Sequence, residues 1–260
     1  MRITTWNVNS IRQRQAHLLD FLREEAPDVV CLQELKTTLE TLPRAEIEDA
    51  GYNVAAVGQK GFNGVALLSK HPIEDVREGL PGDESDSQAR YVEGVIAADG
   101  GVVRVASIYL PNGNPVDSEK YPYKLAFMDR LVAHARSLLR LEETLVLAGD
   151  YNVIPEPRDA ADPAAWEGDA LYLPQTRAKF RALLALGLTD ALRACDDAAG
   201  RYTFWDYQAG AWQRNKGIRI DHLLLSPQAA DRLDGVTIHK HERAKEKPSD
   251  HVPVTVRLRG

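Results

Sequence analysis

Short apolar runs recur along the chain and set its first reading. Arg2 to Trp6 alternates and is rich in β-formers, the pattern of a strand. Ser10 then reads as the N-cap of a helix, with Ile11, Leu18, Leu19, Phe21 and Leu22 at helical spacing and Pro27 beyond its end. Asp28 to Gln33, with Val29-Val30-Cys31-Leu32 at its centre, is a continuous apolar run of the kind buried on both faces of a sheet. This is a β-α-β opening. A second helix is expected from Pro43 to Ala50, closed by Gly51. Successive strands follow at Tyr52 to Val57, Gly64 to Ser69, Tyr91 to Ala97 and Val102 to Leu110. Asp99-Gly100-Gly101 forms the tight-turn signal between the last two.

A long helix is predicted from Tyr121 to Leu141, with Leu125, Met128, Leu131, Val132, Ala135, Leu138 and Leu139 on one face. It leads into an apolar strand, Thr144 to Ala148, and then a long polar loop. Thr176 to Leu186 reads as a helix ended by Gly187, and strands are expected at Ile218 to Leu225, Gly235 to His241 and Val252 to Leu258. About ten strands would suit two packed sheets. With no internal repeat and no linker, one domain spanning residues 1–260 is expected. An α/β (α+β) architecture with many antiparallel strands and flanking helices fits better than strict alternation.

Composition narrows the class. At 44% hydrophobic and 27% charged residues, the chain has too much apolar surface for disorder. No run approaches the roughly 18 apolar residues of a membrane helix. The first residues lack a signal-peptide core, so a cytoplasmic protein is expected. Cys31 and Cys195 have no metal-type spacing and read as core thiols. A net charge of -6 argues against general polyanion coating, yet positive charge is locally concentrated. Arg214, Lys216 and Arg219 form one basic stretch without an acid; from His239 to Lys247, four Lys/Arg outnumber two Glu, with two His besides. Either stretch is a solvated loop or a phosphate contact.

Polar residues recur where strands end: Asn7, Glu34, Tyr109, and Asp150 with Asn152. Asp221 falls inside an apolar strand, and Asp250-His251 precede the last one. No P-loop, nucleophile elbow or zinc-protease helix is present, which leaves water as the nucleophile. Carboxylates, amides and one His suit a hard cation such as Mg²⁺ or Mn²⁺, and such cations act on phosphates. Singly, Asn7, Glu34 and Asp150 could each be ordinary turn or strand-end residues. Asp221 needs a donor if buried, and His251 could supply one or be a satisfied core histidine.

Several segments carry more weight together: Thr5-Trp6-Asn7-Val8-Asn9-Ser10-Ile11-Arg12, Cys31-Leu32-Gln33-Glu34-Leu35-Lys36, Gly64-Val65-Ala66-Leu67-Leu68-Ser69, Tyr109-Leu110-Pro111-Asn112-Gly113, Gly149-Asp150-Tyr151-Asn152, Arg219-Ile220-Asp221 and Ser249-Asp250-His251. In this order and spacing the chain closely resembles the exonuclease III family of DNA-repair nucleases, within the endonuclease/exonuclease/phosphatase superfamily. The resemblance covers nearly the whole chain. It implies a four-layered α/β sandwich of two mixed, mostly antiparallel sheets with helices outside. It also implies Mg²⁺ dependence, with Mn²⁺ able to substitute, and a monomer acting on double-stranded DNA with abasic sites or blocked 3′ ends. The implied activities are apurinic/apyrimidinic endonuclease, 3′-to-5′ exonuclease and 3′-phosphatase.

By the same resemblance Glu34 is the principal metal carboxylate, with Asn7, Asp150, Asn152, Asp250 and His251 around the same one or two cations. Asp150 would orient and deprotonate water, Asn152 would bond the phosphate, and Tyr109 would support charge on a phosphate or leaving oxygen. His251, held by Asp221, would stabilise the pentacovalent oxygens; either Asp150 or His251 is available to take the proton. Asn112 would contact phosphate and Phe62 the duplex, while Phe204 and Ile218 would wall a pocket for an extruded abasic sugar. Arg214, Lys216 and Arg219, flanked by Trp212, then lie between that pocket and Asp221 and would track phosphate. Two rival readings are a phosphatase of the same superfamily acting on an inositol phosphate or sphingolipid, and a non-catalytic nucleic-acid-binding relative. The Trp-rich, basic segment from Phe204 to Arg219 suits DNA better than lipid, and Glu34, Asp150, Asp221 and His251 argue against lost chemistry.

Overall fold

Successive residues of a strand face opposite sides of its sheet, and in this chain both sides are apolar. A computed structural model describes residues 1–98 and 101–260. Its strands are β1 (Arg2–Asn7), β2 (Val29–Gln33), β3 (Asn53–Val57), β4 (Val65–Ser69), β5 (Ile73–Glu78), β6 (Tyr91–Ala98), β7 (Gly101–Tyr109), β8 (Leu145–Asp150), β9 (Thr189–Asp190), β10 (Asp221–Leu225), β11 (Leu233–Ile238) and β12 (Val254–Leu258). The α-helices are α1 (Gln15–Glu24), α2 (Arg44–Asp49), α3 (Lys120–Leu139), α4 (Pro174–Leu184), α5 (Ala191–Cys195) and α6 (Pro227–Ala230).

The strands form two six-stranded sheets, in the orders β11-β12-β1-β2-β4-β3 and β5-β6-β7-β8-β10-β9. Among the described residues only β1–β2 and β7–β8 pair in parallel. Ile3, Cys31 and Leu67 of the first sheet meet Val105, Val146 and Leu223 of the second in the central core. On the outer face of the first sheet, Trp6, Val30, Leu32 and Leu68 lie under Leu18, Phe21 and Leu22 of α1 and Ile47 of α2. The second sheet turns Leu145, Leu147 and Leu224 toward Phe127, Met128 and Leu131 of α3 and Phe180 and Leu183 of α4. The order helix, sheet, sheet, helix is the four-layered sandwich expected. No helix among the described residues is long and apolar enough to cross a membrane.

Several local expectations are corrected. Ser10 does not cap α1: it has a φ of +86°, and the helix begins five residues later at Gln15. Residues 218–220 bridge other segments without joining β10, which starts at Asp221 itself. The sequence pattern missed β9 and β5; β5 is a charged edge strand with mostly exposed residues and a register shift between Glu74 and Arg77, features that discourage edge-to-edge association. Helix α3 buries Lys124 and Phe127, and Leu125 lies at the margin of its core face. Cys31 is buried as expected, but Cys195 is exposed. Residues 99 and 100 of the expected turn lie outside the described residues, although β6 and β7 pair as a hairpin up to Ala98 and Gly101.

Candidate active site

Topology brings the polar strand ends to one rim. The parallel pairs β1–β2 and β7–β8 all end there, with Asn7 opposite Gln33 and Tyr109 opposite Asp150. Antiparallel β10 starts at the same level, placing Asp221 opposite Asp150. Gly149 makes the approach possible, since a Cβ there would overlap the carbonyl oxygen of Ile108 on β7. Beyond the strands the backbone is strained: Asn9, Glu34, Lys36 and Asn152 have φ values of +44°, +52°, +53° and +46°. Left-handed non-glycine residues cost on the order of 1 kcal/mol each and persist only where neighbours hold them. Here Ser10 N–H donates to Glu34 O at 2.8 Å, Leu35 N–H to Gly64 O at 3.1 Å, and Asn152 N–H to Asp150 Oδ1 at 2.9 Å.

The rim surrounds a cavity of about 400 Å³. Its lining is mostly polar, with Glu34, Tyr109, Asn112, Asn114, Asp150, Asn152, Asp169, Asp206, Asp250 and His251, and its apolar part is Trp166, Leu171, Phe204 and Ile220. Asn7 donates from Nδ2 to Glu34 Oε1 and to Asp150 Oδ2, both at 2.9 Å, and so bridges the carboxylates. Its Oδ1 accepts from Asn9 N–H at 3.0 Å, which turns the oxygen away from them. Lys36 Nζ pairs with Glu34 Oε2 at 2.8 Å. His251 Nδ1 lies 2.9 Å from Asp221 Oδ2, and its Nε2 is 3.6 Å from Asp150 Oδ2. Thr203 Oγ1 donates to Asp221 at 2.6 Å, so the buried carboxylate has two donors.

Charge states follow from these contacts. Burial raises the proton affinity of Asp150 above the usual carboxylate range, more than neighbouring His251 lowers it. Burial pushes His251 down, but the carboxylates of Asp221 and Asp150 outweigh it and hold the ring charged above its ordinary range. A charged imidazole donates from both nitrogens, so His251 would ligate a cation only on giving up its proton. For Glu34, the Lys36 ammonium and the Asn7 amide outweigh burial and lower its proton affinity. Burial and the charges of Glu34 and Asp150 raise Tyr109 well above its ordinary value, keeping its hydroxyl as a donor, bonded to Glu34.

The donor set fits a hard divalent cation. Oxygens of Glu34 and Asp150 and a ring nitrogen of His251 lie within 4.8 Å of one another. With Asp221 and Asp250 alongside, carboxylates outnumber the cations Lys36 and His251. Glu34 and Asp150 are the residues placed to hold such an ion. Asn7 and His251 present donors to the cluster, and Asn152 is engaged through Nδ2 to Leu110 O at 2.9 Å. Asp250 Oδ1 accepts from Asn9 Nδ2 at 3.0 Å.

The residues expected to meet DNA are dispersed. Asn112 lines the cavity and donates to Asn152 Oδ1 at 3.3 Å. Phe204 lines it too and packs its ring against His251, centroids 5.0 Å apart. Ile218 is buried behind the cavity among Ile154, Leu171 and Ile220, so Ile220 and Leu171 form the wall expected of it. Lys216 is exposed in an adjoining recess that shares Trp166 and Asp169 with the site. Trp212 stacks edge-on against Trp205 at 5.1 Å, Arg214 bonds the carbonyl of Ala209, and Phe62 is exposed after β3. Arg219 is withdrawn from any phosphate role: it is buried, with Asp159 at 2.6 Å and Asp190 at 2.8 Å.

Sequence reasoning missed Trp166, Leu171, Asp169, Asn114 and Lys36 at the site, and Arg90, whose guanidinium stacks 4.8 Å over Tyr109. It also missed Lys124, which reaches from α3 to donate to Asn112 O at 3.0 Å and Asn152 O at 2.5 Å. Burial lowers this ammonium to about 7. A lysine on the apolar stripe of α3 was the available signal.

Comparison with known proteins agrees with this geometry. The profile of the Endonuclease/Exonuclease/phosphatase family matches residues 4–251. The chain is 33% identical to an exodeoxyribonuclease III of Haemophilus influenzae over 262 residues, covering 98% of each. It superimposes with a TM-score of 0.95 on a 3′-5′ exonuclease from Neisseria meningitidis, at 38% identity over 100% of both chains. An AP endonuclease from Archaeoglobus fulgidus matches with a TM-score of 0.94, at 36% identity over 99% of each chain.

Proposed function

Because this chain belongs to the endonuclease/exonuclease/phosphatase family, we propose that it is a DNA-repair phosphodiesterase: an apurinic/apyrimidinic endonuclease with 3′-to-5′ exonuclease and 3′-phosphatase action on duplex DNA. The observation that carries this reading is the buried Glu34–Asp150 pair, bridged by Asn7 and facing a histidine held charged by Asp221. The polar lining of the cavity gathers groups that handle a phosphodiester, and Trp166, Leu171, Phe204 and Ile220 offer apolar surface for a sugar.

Bound Mg²⁺, or Mn²⁺ in its place, would supply charge neutralisation at the phosphate and the leaving oxygen. Glu34 and Asp150 would hold the ion, and Asn7 fixes the two carboxylates relative to one another. Asp150 takes the proton from the attacking water, a role its raised proton affinity suits. His251 donates from Nε2 to a non-bridging phosphate oxygen, where charge grows in the transition state. Asn112 and Tyr109 offer further N–H and O–H donors on the same side. We assign Phe204, Asn112 and Lys216 to the DNA side of the cavity, with Phe62, Trp212 and Arg214 farther out along the duplex.

Excess EDTA should abolish cleavage of an abasic duplex, and Mg²⁺ or Mn²⁺ should restore it. Run beside a recessed 3′ end, a 3′-phosphate and a phosphoinositide, the same assay separates nuclease from small-molecule phosphatase. Full turnover in chelator, or turnover on the phosphoinositide alone, would sink the reading.

The apolar wall makes a second test. Trp166 and Leu171 line the cavity without touching His251, whereas Phe204 does both. Trp166→Ala should therefore narrow the preference for abasic over intact strands by roughly tenfold, the size of one lost stacking contact, and leave 3′-phosphate removal nearly unchanged. Phe204→Ala should lower every activity, because the histidine loses its neighbour. Equal losses in all activities for Trp166→Ala would mean that the wall does not read the sugar.

A further inference from the structure

A second cleft, of about 500 Å³, opens on the outer face of the first sheet, between the end of α1 and strands β11 and β12. It shares no lining residue with the candidate active site. We propose that Glu25, His239 and His241, which meet in this cleft, form a separate site for a borderline transition-metal cation, Zn²⁺ by the chemistry of its donors.

One ligand atom from each of the three lies within 4.8 Å of the others. His239 Nδ1 and Glu25 Oε1 are 3.6 Å apart, close to the edge of a tetrahedron built on zinc bonds of about 2.0–2.1 Å. Both groups are already aimed. His239 Nε2 lies 2.8 Å from Thr255 Oγ1, which in turn bonds Thr4 Oγ1 at 2.7 Å. In the tautomer whose Nε2 proton goes to that hydroxyl relay, the Nδ1 lone pair faces Glu25, the outer-sphere arrangement that commonly orients a metal-binding histidine. Phe21 sets the ring plane, edge to face at 5.1 Å. Arg2 takes Glu25 Oε2 at 2.7 Å, which holds the carboxylate with Oε1 inward. Arg257 also lines the cleft, and its guanidinium is drawn off by Asp234 at 3.3 Å.

His241 closes the set from the solvent side. Its side chain is 59% exposed, and its ring lies 5.9 Å from that of His239. Two imidazoles and one carboxylate favour zinc over magnesium, and three protein ligands leave the fourth position to water. The ligands join α1 to the segment between β11 and β12, which also carries Asp250 and His251. A cation here would therefore tie the segment bearing those residues to the first sheet's helix.

The test is calorimetric titration of Zn²⁺ into the full chain in excess Mg²⁺. One equivalent should bind to the wild type and to Glu34→Gln, and binding should weaken at least tenfold in His241→Ala and in His239→Gln. DNA cleavage by His241→Ala in Mg²⁺ should equal that of the wild type; His241 is exposed, so its removal leaves the core intact. Zinc binding that persists in both histidine variants, or vanishes in Glu34→Gln, would overturn the site. So would thermal stabilisation by inorganic phosphate with none by zinc, which would make the cleft an anion site built on Arg2 and Arg257. None of these outcomes bears on the nuclease reading.

Discussion

Replacing Asp150 by asparagine should lower turnover on an abasic duplex by roughly a thousandfold or more, with the chain still folded. Asp150 is 1% exposed at the end of β8, and burial raises its proton affinity above the usual carboxylate range, which makes it a better acceptor for a proton from water. Asparagine keeps the shape and the acceptor for Asn152 N–H, but cannot take the proton. The effect on stability is smaller because two changes oppose each other. The variant loses the Asn7 contact, worth about 1 kcal/mol, and sheds a buried negative charge set beside Glu34 and Asp221. Single-turnover rates with a parallel thermal melt would check this. Turnover within tenfold of wild type, or a melting temperature so reduced that unfolding accounts for the loss, would remove Asp150 from the proton-transfer role.

The next largest loss is expected at the Asp221–His251 pair. Asp221→Asn should cost roughly 10²- to 10⁴-fold in turnover, and adding His251→Gln should cost little more, because the two act as one unit. The pH profile carries the sign. A histidine whose proton affinity is raised stays charged as pH rises, until its elevated value is passed; the stabilisation it draws from Asp221 is complete below the ordinary histidine range and lost above the elevated one. The limb set by loss of the imidazolium should accordingly lie under alkaline conditions, with a separate acid limb where Asp150 becomes protonated. Without the Asp221 charge the ring gives up its proton earlier, so the alkaline limb should move toward neutral pH. An alkaline limb that stays in place in Asp221→Asn would mean that His251 works uncharged.

Much of the fold is legible where burial is two-sided. Residues 29–32 and 145–148 are continuous apolar runs because one face meets the opposite sheet and the other meets helices. Strand β5 escapes this logic because an edge strand in water needs neither face apolar. The start of α1 was misread because Ser10 is a good capping residue taken up instead by the turn that carries the Asn9 contact to Asp250. At the site, Asn7, Glu34, Asp150 and His251 are legible because each sits at or next to a strand end, so the motif and the topology coincide. Arg219 shows the opposite case. It looks like a member of a basic stretch, yet its partners are Asp159 and Asp190, 60 and 29 residues away. Trp166 ends a short 3-10 helix, Pro163–Trp166, and Leu171 follows in irregular chain, and only the folded packing brings them into the cavity with the carboxylates.

The pairing of β1 with β12 has a bearing on when this chain can cut. Asn7, which bridges the carboxylates, has its carbonyl held by Ser249 Oγ at 2.7 Å, across 242 residues, and Arg2 lies in register with Arg257. Loop closure over such a span comes late in folding, after local hairpins and helices have formed. On a ribosome, Glu34, Tyr109 and Asp150 emerge well before the segment that delivers Asp250 and His251. Until that closure forms, Glu34, Tyr109 and Asp150 stand at their strand ends without the histidine that faces Asp150, so completion of the site waits on the pairing of β12 with β1.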